Sequence, residues 1–333
     1  MFAARRLSLR AFQVLSENSS AMVNNVAEPV PGQGELCLRI EACGLNFADL
    51  LMIAGTYQDM PAPPFTLGME AAGIVDSLGE GAGGLAPGAR VAVFGGQGGL
   101  AERGCFAAER AVALPDTMPF TDAAAFMVAY GTSHVALDHR ARLQPGETLL
   151  VLGAAGGVGL TAVEIGKLMG ARVIACARGR DRLAVADQAG ADHLIDTQTE
   201  DIRAVCKGLG GVDVVYDPVG GALFKAAMRA CRPEARLLSI GFASGDVPRI
   251  PANHLLVKNL SVIGFYWGGY LKFRPRVISD SLATLFDWYA RGRLRPHVSH
   301  VLPLDRAAEG LDLLRARKST GKVVITPQAR PAS

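Results

Sequence analysis

The sequence predicts an α/β fold in which a doubly wound parallel sheet is inserted in a second, β-rich domain. From residue 148 to residue 240, short apolar runs alternate with stretches that have the length and pattern of helices. Such alternation is typical of parallel β-α units. Residues 35–94 are predicted as strands separated by turns, and the last predicted strand lies at the other end of the chain. The 333 residues suffice for two domains with separate cores.

The first third of the chain is predicted to form strands with one buried face. Glu35–Ala42 alternates polar and apolar residues with period two, and Gly73–Leu78 and Arg90–Phe94 continue this pattern. The first strand is expected at Arg10–Leu15. Residues 1–9 are rich in arginine and faintly resemble an organelle-targeting peptide, but we interpret them as a loose leader.

The middle of the chain is predicted to begin with a buried helix, Ala123–Leu137. The strands that follow are expected at Thr148–Leu152, Arg172–Ala177, His193–Asp196, Val212–Tyr216, Ala235–Ile240 and Leu260–Phe265. Helices between them are expected up to Met169 and at Asp181–Ala189, Ile202–Leu209 and Ala222–Cys231. Two amphipathic helices, Arg276–Arg291 and Asp305–Lys318, then precede a terminal strand, Lys322–Thr326.

Composition excludes several classes of protein. Half of the residues are hydrophobic, which excludes intrinsic disorder. The net charge of +3, with no block of five like charges, gives no sign of a nucleic-acid partner. The longest uncharged runs are too short to cross a membrane. The six cysteines are scattered without a CxxC pair, so neither a disulfide framework nor structural zinc is expected, and a cytoplasmic protein in a reducing compartment fits best.

A glycine-rich turn after the predicted strand Thr148–Leu152 is the most informative motif. Aligned on G-x-G-x-x-G, its three positions are Ala154, Gly156 and Gly159. Small residues there let a pyrophosphate approach the backbone amides at a helix N-terminus. The predicted contacts are Ala155, Gly156, Gly157 and Val158. A tight strand–helix turn without a ligand is the alternative.

The end of the next strand favours NADPH over NADH. NAD enzymes usually place an acidic residue there for the ribose 2′-hydroxyl. Here the strand ends in Arg178, with Arg182 shortly after it. Their guanidinium groups could bind a 2′-phosphate. The intervening Asp181 is interpreted as the N-cap of the following helix.

Several segments together resemble one family. Cys43–Asp49, Gly68-Met-Glu70, Pro145-Gly-Glu147, the glycine turn and Arg317–Lys322 resemble the medium-chain dehydrogenase/reductase superfamily, and the chain is most similar to its zinc-free quinone oxidoreductases. Gly241–Gly245 and Gly264–Gly268 resemble the quinone oxidoreductase-like protein 2 group. The resemblance extends from Arg10 to Thr326.

The resemblance implies a Rossmann-type doubly wound parallel sheet inserted in a GroES-like β-barrel domain. The expected boundaries are 1–124 and 268–333 for the GroES-like domain and 125–267 for the NADP-binding domain. Zinc-dependent members hold their metal with a Cys and a His, where this sequence has Asn46 and Met69. An amide and a thioether are poor zinc ligands, so no metal is expected.

The family implies hydride transfer from NADPH to a quinone or an α,β-unsaturated carbonyl, in the cleft between the domains. Asn46 is expected near the nicotinamide and the substrate oxygen, as both a catalytic and a cofactor-binding residue. Tyr57 is expected to hydrogen-bond the substrate or relay a proton, with an ordinary loop aromatic as the alternative. Asp49 is interpreted as a helix-start residue and Glu70 as a structural group.

The family also implies further cofactor contacts at Thr132, Gly241, Phe242, Phe265, Trp267 and Lys318. For Phe265 and Trp267 the alternative is interface core, and for Lys318 a solvated side chain. His134 is expected to be a satisfied core histidine, and Asp196 stands where relatives often have a tyrosine near the adenine.

Many relatives form homodimers through the last strand of the nucleotide-binding sheet, and Leu260–Phe265 could extend the sheet in this way. Three alternative functions remain. They are a 2-enoyl thioester reductase, an NADPH-binding protein without turnover and, least favoured on charge, a binder of single-stranded nucleic acid.

Overall fold

A computed structural model describes residues 9–327 of the chain. The strands are β1 Leu9–Ser16, β2 Ser19–Val26, β3 Glu35–Gly44, β4 Phe65–Thr66, β5 Glu70–Leu78, β6 Arg90–Phe94, β7 Arg103–Ala107, β8 Ala111–Ala113, β9 Thr148–Leu152, β10 Arg172–Ala177, β11 His193–Asp196, β12 Val212–Asp217, β13 Cys231–Ser239, β14 Ser261–Gly264, β15 Val298–Pro303 and β16 Lys322–Thr326. All but the last residue of the predicted leader lie outside the described residues.

The helices are α1 Phe47–Ile53, α2 Phe120–Ala124, α3 Met127–His134, α4 Gly157–Leu168, α5 Arg180–Gln188, α6 Ile202–Gly208, α7 Gly221–Ala230, α8 Ala252–Lys258, α9 Tyr270–Phe273, α10 Pro275–Ala290 and α11 Ala307–Arg315. A π-helical segment, Val135–Arg140, continues α3. The single helix predicted over Ala123–Leu137 is therefore three shorter pieces. Within residues 9–327, no helix is long and apolar enough to cross a bilayer.

The chain divides into two compact units. The split unit is made from both ends of the chain, up to Val128 and from Pro296 onwards, and the central unit is Ala129–Arg295. The α/β fold class, with one domain inserted in the other, is confirmed.

Residues 268–295 lie in the compact central unit, whereas the sequence analysis assigns them to the GroES-like domain, and that domain boundary stays a prediction. The helix α10 buries Ile278, Leu282 and Leu285, and the Ser281 hydroxyl lies 2.9 Å from Nδ1 of His134. An amphipathic helix must cover an apolar surface, and this one covers α3 and the π-helical segment.

The split unit is built mostly from antiparallel strand pairs, and β15 pairs with β16 in parallel. Its larger sheet has the order β15-β16-β3-β5-β6-β8, and β7 also pairs with β3. A smaller sheet has the order β2-β1-β4. Leu36, Leu38 and Ile40 of β3 are buried with Val91 and Val93 of β6. The apolar residues of the period-two alternation therefore form the buried face of this sheet.

One pair of cysteines meets across the sheet of the split unit. Cys37 of β3 lies directly opposite Cys105 of β7, with Cα atoms 4.0 Å apart and the two sulfur atoms in contact. Their sequence separation of 68 residues gives no hint of the pairing, since sheet register alone brings them together.

The central unit contains a six-stranded parallel sheet of order β11-β10-β9-β12-β13-β14. The chain starts in the middle at β9, proceeds to one edge, and returns to fill the other side from β12. This is the doubly wound order in which ligands bind at the carboxyl ends of the two central strands. The fold therefore places the turns after β9 and β12 at the expected ligand site.

Candidate functional site

The turn after β9 has the geometry of a pyrophosphate-binding loop. Gly156 is the N-cap of α4, with extended backbone angles and no side-chain cap, so the first amides of this helix are not capped by its own N-cap residue. A Cβ added at Gly159 would lie only 2.2 Å from the carbonyl oxygen of Gly153. Because only glycine fits there, the helix can start directly on the turn, and its amides can approach a bound phosphate closely.

The turn after β12 is organised by a buried aspartate that sequence reasoning missed. Asp217 is 1% exposed, and its Oδ1 accepts hydrogen bonds from the N–H groups of Val219 (2.7 Å) and Gly220 (2.9 Å). Burial raises the pKa of this carboxyl, while the two hydrogen bonds oppose the rise. Asp217 therefore fixes the turn whose Gly220 packs against the Phe242 ring.

The predicted cofactor residues Gly241 and Phe242 lie beside this turn. The N–H of Ile240 donates to the carbonyl of Asp217 at 2.9 Å, which holds the start of the segment at the carboxyl end of the sheet. Phe242 is 41% exposed although it is a large aromatic residue. An exposed phenyl ring at this edge of the sheet is available to a bound ligand.

The turn after β10 brings two arginines together. Arg178 is exposed at the end of the strand and Arg182 is half-buried in the first turns of α5. Burial, and then the charge of Arg178, lower the pKa of Arg182. The positive charges of the two guanidinium groups repel each other, and a doubly charged phosphate between them would relieve this repulsion.

Asp196 supports the same turn. Its Oδ1 accepts hydrogen bonds from the N–H groups of Gly179 and Gln198, both at 3.0 Å, and these hydrogen bonds lower the pKa of the carboxyl. The N-cap of α5 is Gly179, so the interpretation of Asp181 as the N-cap is wrong. Asp181 lies instead in the first helical turn, where acidic residues are also favoured.

The helix α3 contributes Thr132, which is buried and 8% exposed. Its neighbour Ser133, missed by the sequence analysis, links three elements. The Ser133 hydroxyl donates to the Val158 carbonyl (2.9 Å) and lies 2.8 Å from the Thr161 hydroxyl and 3.0 Å from the Tyr216 hydroxyl. This buried group ties α3 to the first turn of α4, and with it to the glycine turn.

The aromatic residues after β14 are interior residues of the central unit. Phe265 is 8% exposed and Trp267 is 5% exposed. Trp267 packs on Gly131, where a Cβ would lie 2.8 Å from the indole nitrogen, and the Phe265 and Tyr270 rings are 5.7 Å apart. Their burial favours the core alternative, and contact with a cofactor stays a prediction. His134 is confirmed as a buried core histidine, paired with Ser281.

A buried polar cluster lies at the start of α1 in the split unit. We call Asn46, Asp49, Glu70 and Lys322 the Asn46 cluster. The Asn46 side-chain Nδ2 donates to Glu70 Oε1 at 2.9 Å and to the Gly44 carbonyl at 3.2 Å. Its backbone N–H donates to Asp49 Oδ2 at 2.7 Å. Glu70 Oε2 accepts a further hydrogen bond from the N–H of Val128.

Lys322 provides the positive charge of this cluster. Its side chain is 6% exposed and that of its ion-pair partner Glu70 is 1% exposed, with 2.9 Å between them. The ammonium also donates to Asn46 Oδ1 at 2.7 Å and to the Leu45 carbonyl at 2.8 Å. All three of its hydrogens therefore have acceptors inside the protein. The motif Arg317–Lys322 contained this residue, but its spacing did not show which lysine is buried.

Lys318 is exposed after α11, and its contact with the cofactor stays a prediction. Tyr57 is half-buried in the loop between α1 and β4. The structure thus places Asn46 in the cluster together with Asp49, Glu70 and Lys322, and it places Tyr57 on the loop that follows the same helix.

Asp49 is the least satisfied member of the cluster. It is fully buried, and its Oδ1 makes no hydrogen bond within residues 9–327. Burial raises the pKa of this carboxyl to about 7, although the backbone N–H of Asn46, the Lys322 charge and, least of the three, the backbone N–H of Gly68 lower it. The cluster therefore contains one carboxylate that is firmly paired and one that titrates near neutral pH.

Two family models match the sequence. Residues 32–116 match the alcohol dehydrogenase GroES-like domain, and residues 157–285 match the zinc-binding dehydrogenase family. The quinone oxidoreductase-like protein 2 homolog of Nematostella vectensis is 38% identical over 300 residues, which is 88% of this chain and 82% of that protein. The chain belongs to the quinone oxidoreductase-like group of the medium-chain dehydrogenase/reductase family.

Solved structures of this family agree with the fold. The quinone oxidoreductase of Thermus thermophilus, described with its NADPH complex, is 33% identical, covers 95% of this chain and 99% of its own, and has a TM-score of 0.83. The Escherichia coli quinone oxidoreductase complexed with NADPH is 27% identical, covers 96% of this chain and all of its own, and has a TM-score of 0.88. A Rossmann-type sheet inserted in a GroES-like domain is thus confirmed.

The name of one matching family, zinc-binding dehydrogenase, implies a zinc ion. The residues of the Asn46 cluster are not suited to bind one. Asn46 Oδ1 already accepts a hydrogen bond from the Lys322 ammonium, and Glu70 is paired with the same charge. A cation beside this ammonium would be repelled. Residues 9–327 contain no group of three or more His, Cys, Asp or Glu side chains arranged to hold a metal ion.

Proposed function

We propose that this chain is a zinc-independent, NADPH-dependent oxidoreductase that transfers a hydride to a quinone or an α,β-unsaturated carbonyl. The observation that carries the proposal is the Arg178–Arg182 pair next to a glycine turn that accepts only the smallest residue at Gly159. That combination suits a dinucleotide with a phosphorylated ribose. Membership of the quinone oxidoreductase-like group supports the same reaction class.

Backbone amides and arginine side chains of this chain would bind the phosphate groups of the cofactor. The amides of Ala155, Gly156, Gly157 and Val158 would bind the pyrophosphate, and the two arginines would bind the 2′-phosphate. Contacts with the rest of the cofactor are proposed for Asn46, Thr132, Gly241, Phe242, Phe265, Trp267 and Lys318. NADPH, when bound, supplies the hydride.

The choice of acceptor follows from the residue types at positions 46 and 69, where Asn46 and Met69 are poor zinc ligands. Quinones and enones have a carbon that is already polarised, and they accept a hydride without a Lewis acid. The protein must then orient the acceptor and hydrogen-bond the oxygen on which charge develops. Tyr57 is the proposed donor, since its hydroxyl belongs to the loop that follows the Asn46 helix.

A screen of NADPH oxidation over acceptors tests the proposal. We expect turnover with 1,4-naphthoquinone or a simple enone and little or none with crotonyl-CoA. Faster turnover with crotonyl-CoA would identify a 2-enoyl thioester reductase instead. Tight NADPH binding without oxidation across quinones, enones and enoyl-CoA esters would refute the enzymatic proposal.

We also propose a homodimer that forms along β14. This strand is an edge of the central sheet, and the neighbouring helix α8 exposes Leu256 (79%) and Val257 (72%). Apolar residues with this exposure beside an open sheet edge favour pairing with a second copy.

A further inference from the structure

We propose that Lys322 is the positioning residue of the active site: its ammonium holds the Asn46 amide in one orientation and compensates the buried carboxylates, with no metal ion needed. The hydrogen bonds of Lys322 support this role. The Lys322 ammonium has three hydrogens, and its three acceptors are Asn46 Oδ1, Glu70 Oε1 and the Leu45 carbonyl, at 2.7 to 2.9 Å.

The hydrogen bonds of the Asn46 side-chain amide fix its orientation. Its Nδ2 has two hydrogens, and these go to Glu70 and to the Gly44 carbonyl. If the amide were reversed, Nδ2 would face the ammonium, and Oδ1 would face a carboxylate and a carbonyl. Lys322 and Glu70 together therefore permit one orientation only.

This arrangement changes the role of Asn46. Both of its side-chain hydrogens have protein acceptors, so it has no unused hydrogen for an acceptor oxygen. Its Oδ1 keeps one lone pair beyond the hydrogen bond from Lys322. Asn46 therefore presents an oxygen, polarised by the ammonium, and the proton donor for the substrate must be another group.

The charges of the cluster make the ammonium indispensable. Glu70 and Asp49 are both buried, at 1% and 0% exposure, and among the described residues Lys322 is the one cation that acts on Asp49. The groups that face Asp49 are Glu70 from β5, Lys322 from β16 and the buried thiol of Cys43 from β3. Removing the ammonium would leave the buried Glu70 without its ion-pair partner and would raise the pKa of Asp49 further. Breaking a buried ion pair in this way costs far more than the pair itself contributes.

The kinetic part of the test rests on the proposed function. Lys322→Met keeps the length of the side chain and removes its charge. We expect kcat for naphthoquinone or enone reduction to fall at least about tenfold, with the dissociation constant for NADPH within about twofold of the wild-type value. Lys322→Arg restores the charge and should recover part of kcat. Lys207→Met, at an exposed lysine of α6, is the matched control.

A second measurement does not depend on turnover. The Lys322 charge lowers the pKa of Asp49, so Lys322→Met should move the Asp49 titration to higher pH. The pH dependence of the melting temperature reports this shift, and Lys322→Arg should leave the midpoint near that of the wild type. If Lys322→Met does not fold at neutral pH, it should fold at about pH 5, where the buried Asp49 carboxyl is neutral. Failure to fold at both pH values would overturn the charge-compensating role.

The two sets of results separate the inference from the proposed function. Wild-type kcat and an unchanged stability midpoint in Lys322→Met would overturn the positioning role. A fall in NADPH affinity equal to the fall in kcat would also overturn it. If the wild type reduces no acceptor but the midpoint moves as expected, the proposed function fails and the role of Lys322 in the cluster stands.

Discussion

Single residues carry the evidence for the cofactor and for the chemistry. The place of Arg178 at the end of β10 could be predicted from the sequence, and its role in ribose recognition stays a prediction that rests on this position in the fold. Lys322 could not, because burial of a lysine depends on which acceptors the fold brings around it. The three acceptors of Lys322 come from residues 45, 46 and 70, far away in the sequence.

Arg178→Glu tests cofactor selectivity. We expect NADPH affinity to fall roughly 10- to 100-fold, since hydrogen bonds to charged groups contribute about 1.5–3 kcal/mol each. NADH affinity should change much less, because NADH lacks the 2′-phosphate. Titration of both coenzymes by fluorescence measures this, with the exposed Arg180→Glu as the control. An equal loss for both coenzymes would remove Arg178 from the role.

Tyr57→Phe tests the proposed proton donor. Loss of one hydrogen bond to a developing oxyanion should lower kcat for an enone about tenfold. NADPH affinity should be unchanged, because the hydroxyl is assigned to the substrate. Steady-state kinetics on one enone decides the matter. Turnover equal to that of the wild type would show that the hydroxyl takes no part.

Asp49 should make the stability of the protein depend on pH. Its pKa is raised to about 7 in the folded chain, whereas an unfolded Asp titrates near pH 4. Between these values the folded state binds more protons, so the free energy of unfolding falls as pH rises from about 4 to 7, by on the order of 4 kcal/mol.

Asp49→Asn should remove most of this fall, since the amide oxygen can still accept from the Asn46 N–H. Urea unfolding at several pH values measures the effect, with the exposed Asp116→Asn as the matched control. A slope as steep in Asp49→Asn as in the wild type would assign the titration to another group.

At the scale of elements, periodicity predicted most of the central unit. The runs Thr148–Leu152 and Arg172–Ala177 are strands at those bounds, because a fully buried parallel strand is a short apolar run. The strands β2, β4, β7, β8 and β15 were missed, since strands that are largely polar, very short or irregular in their alternation carry no clear pattern. The break of the predicted helix Ala123–Leu137 was also missed, because its pieces are equally apolar.

Gly159→Ala tests the strand–helix turn. The added methyl group would lie 2.2 Å from the Gly153 carbonyl oxygen, so the helix must shift, at a cost of about 1–3 kcal/mol. NADPH affinity should fall with it. The control is Gly208→Ala, in a helix and with open space around the added carbon. Melting curves and coenzyme titration give both effects, and wild-type NADPH affinity in Gly159→Ala would contradict the assignment.

For the whole molecule, the sequence predicted a domain inserted in another, and the residue at which the chain returns to the split unit stays a prediction. The helix α10 is amphipathic, and such a pattern shows that a helix packs on something without showing which core it joins. A homodimer along β14 belongs to this scale as well. Sedimentation should give twice the mass of one chain, and Val262→Pro in the edge strand should give monomers. A wild-type monomer at micromolar concentration would contradict the dimer.

The central claim is that hydride transfer from NADPH proceeds here without a metal ion. The direct measurement is NADPH oxidation with 1,4-naphthoquinone before and after dialysis against a strong chelator, with zinc content determined in both samples. We predict the same rate in both and less than stoichiometric zinc in either. A rate that disappears on chelation and returns on addition of zinc would contradict the account.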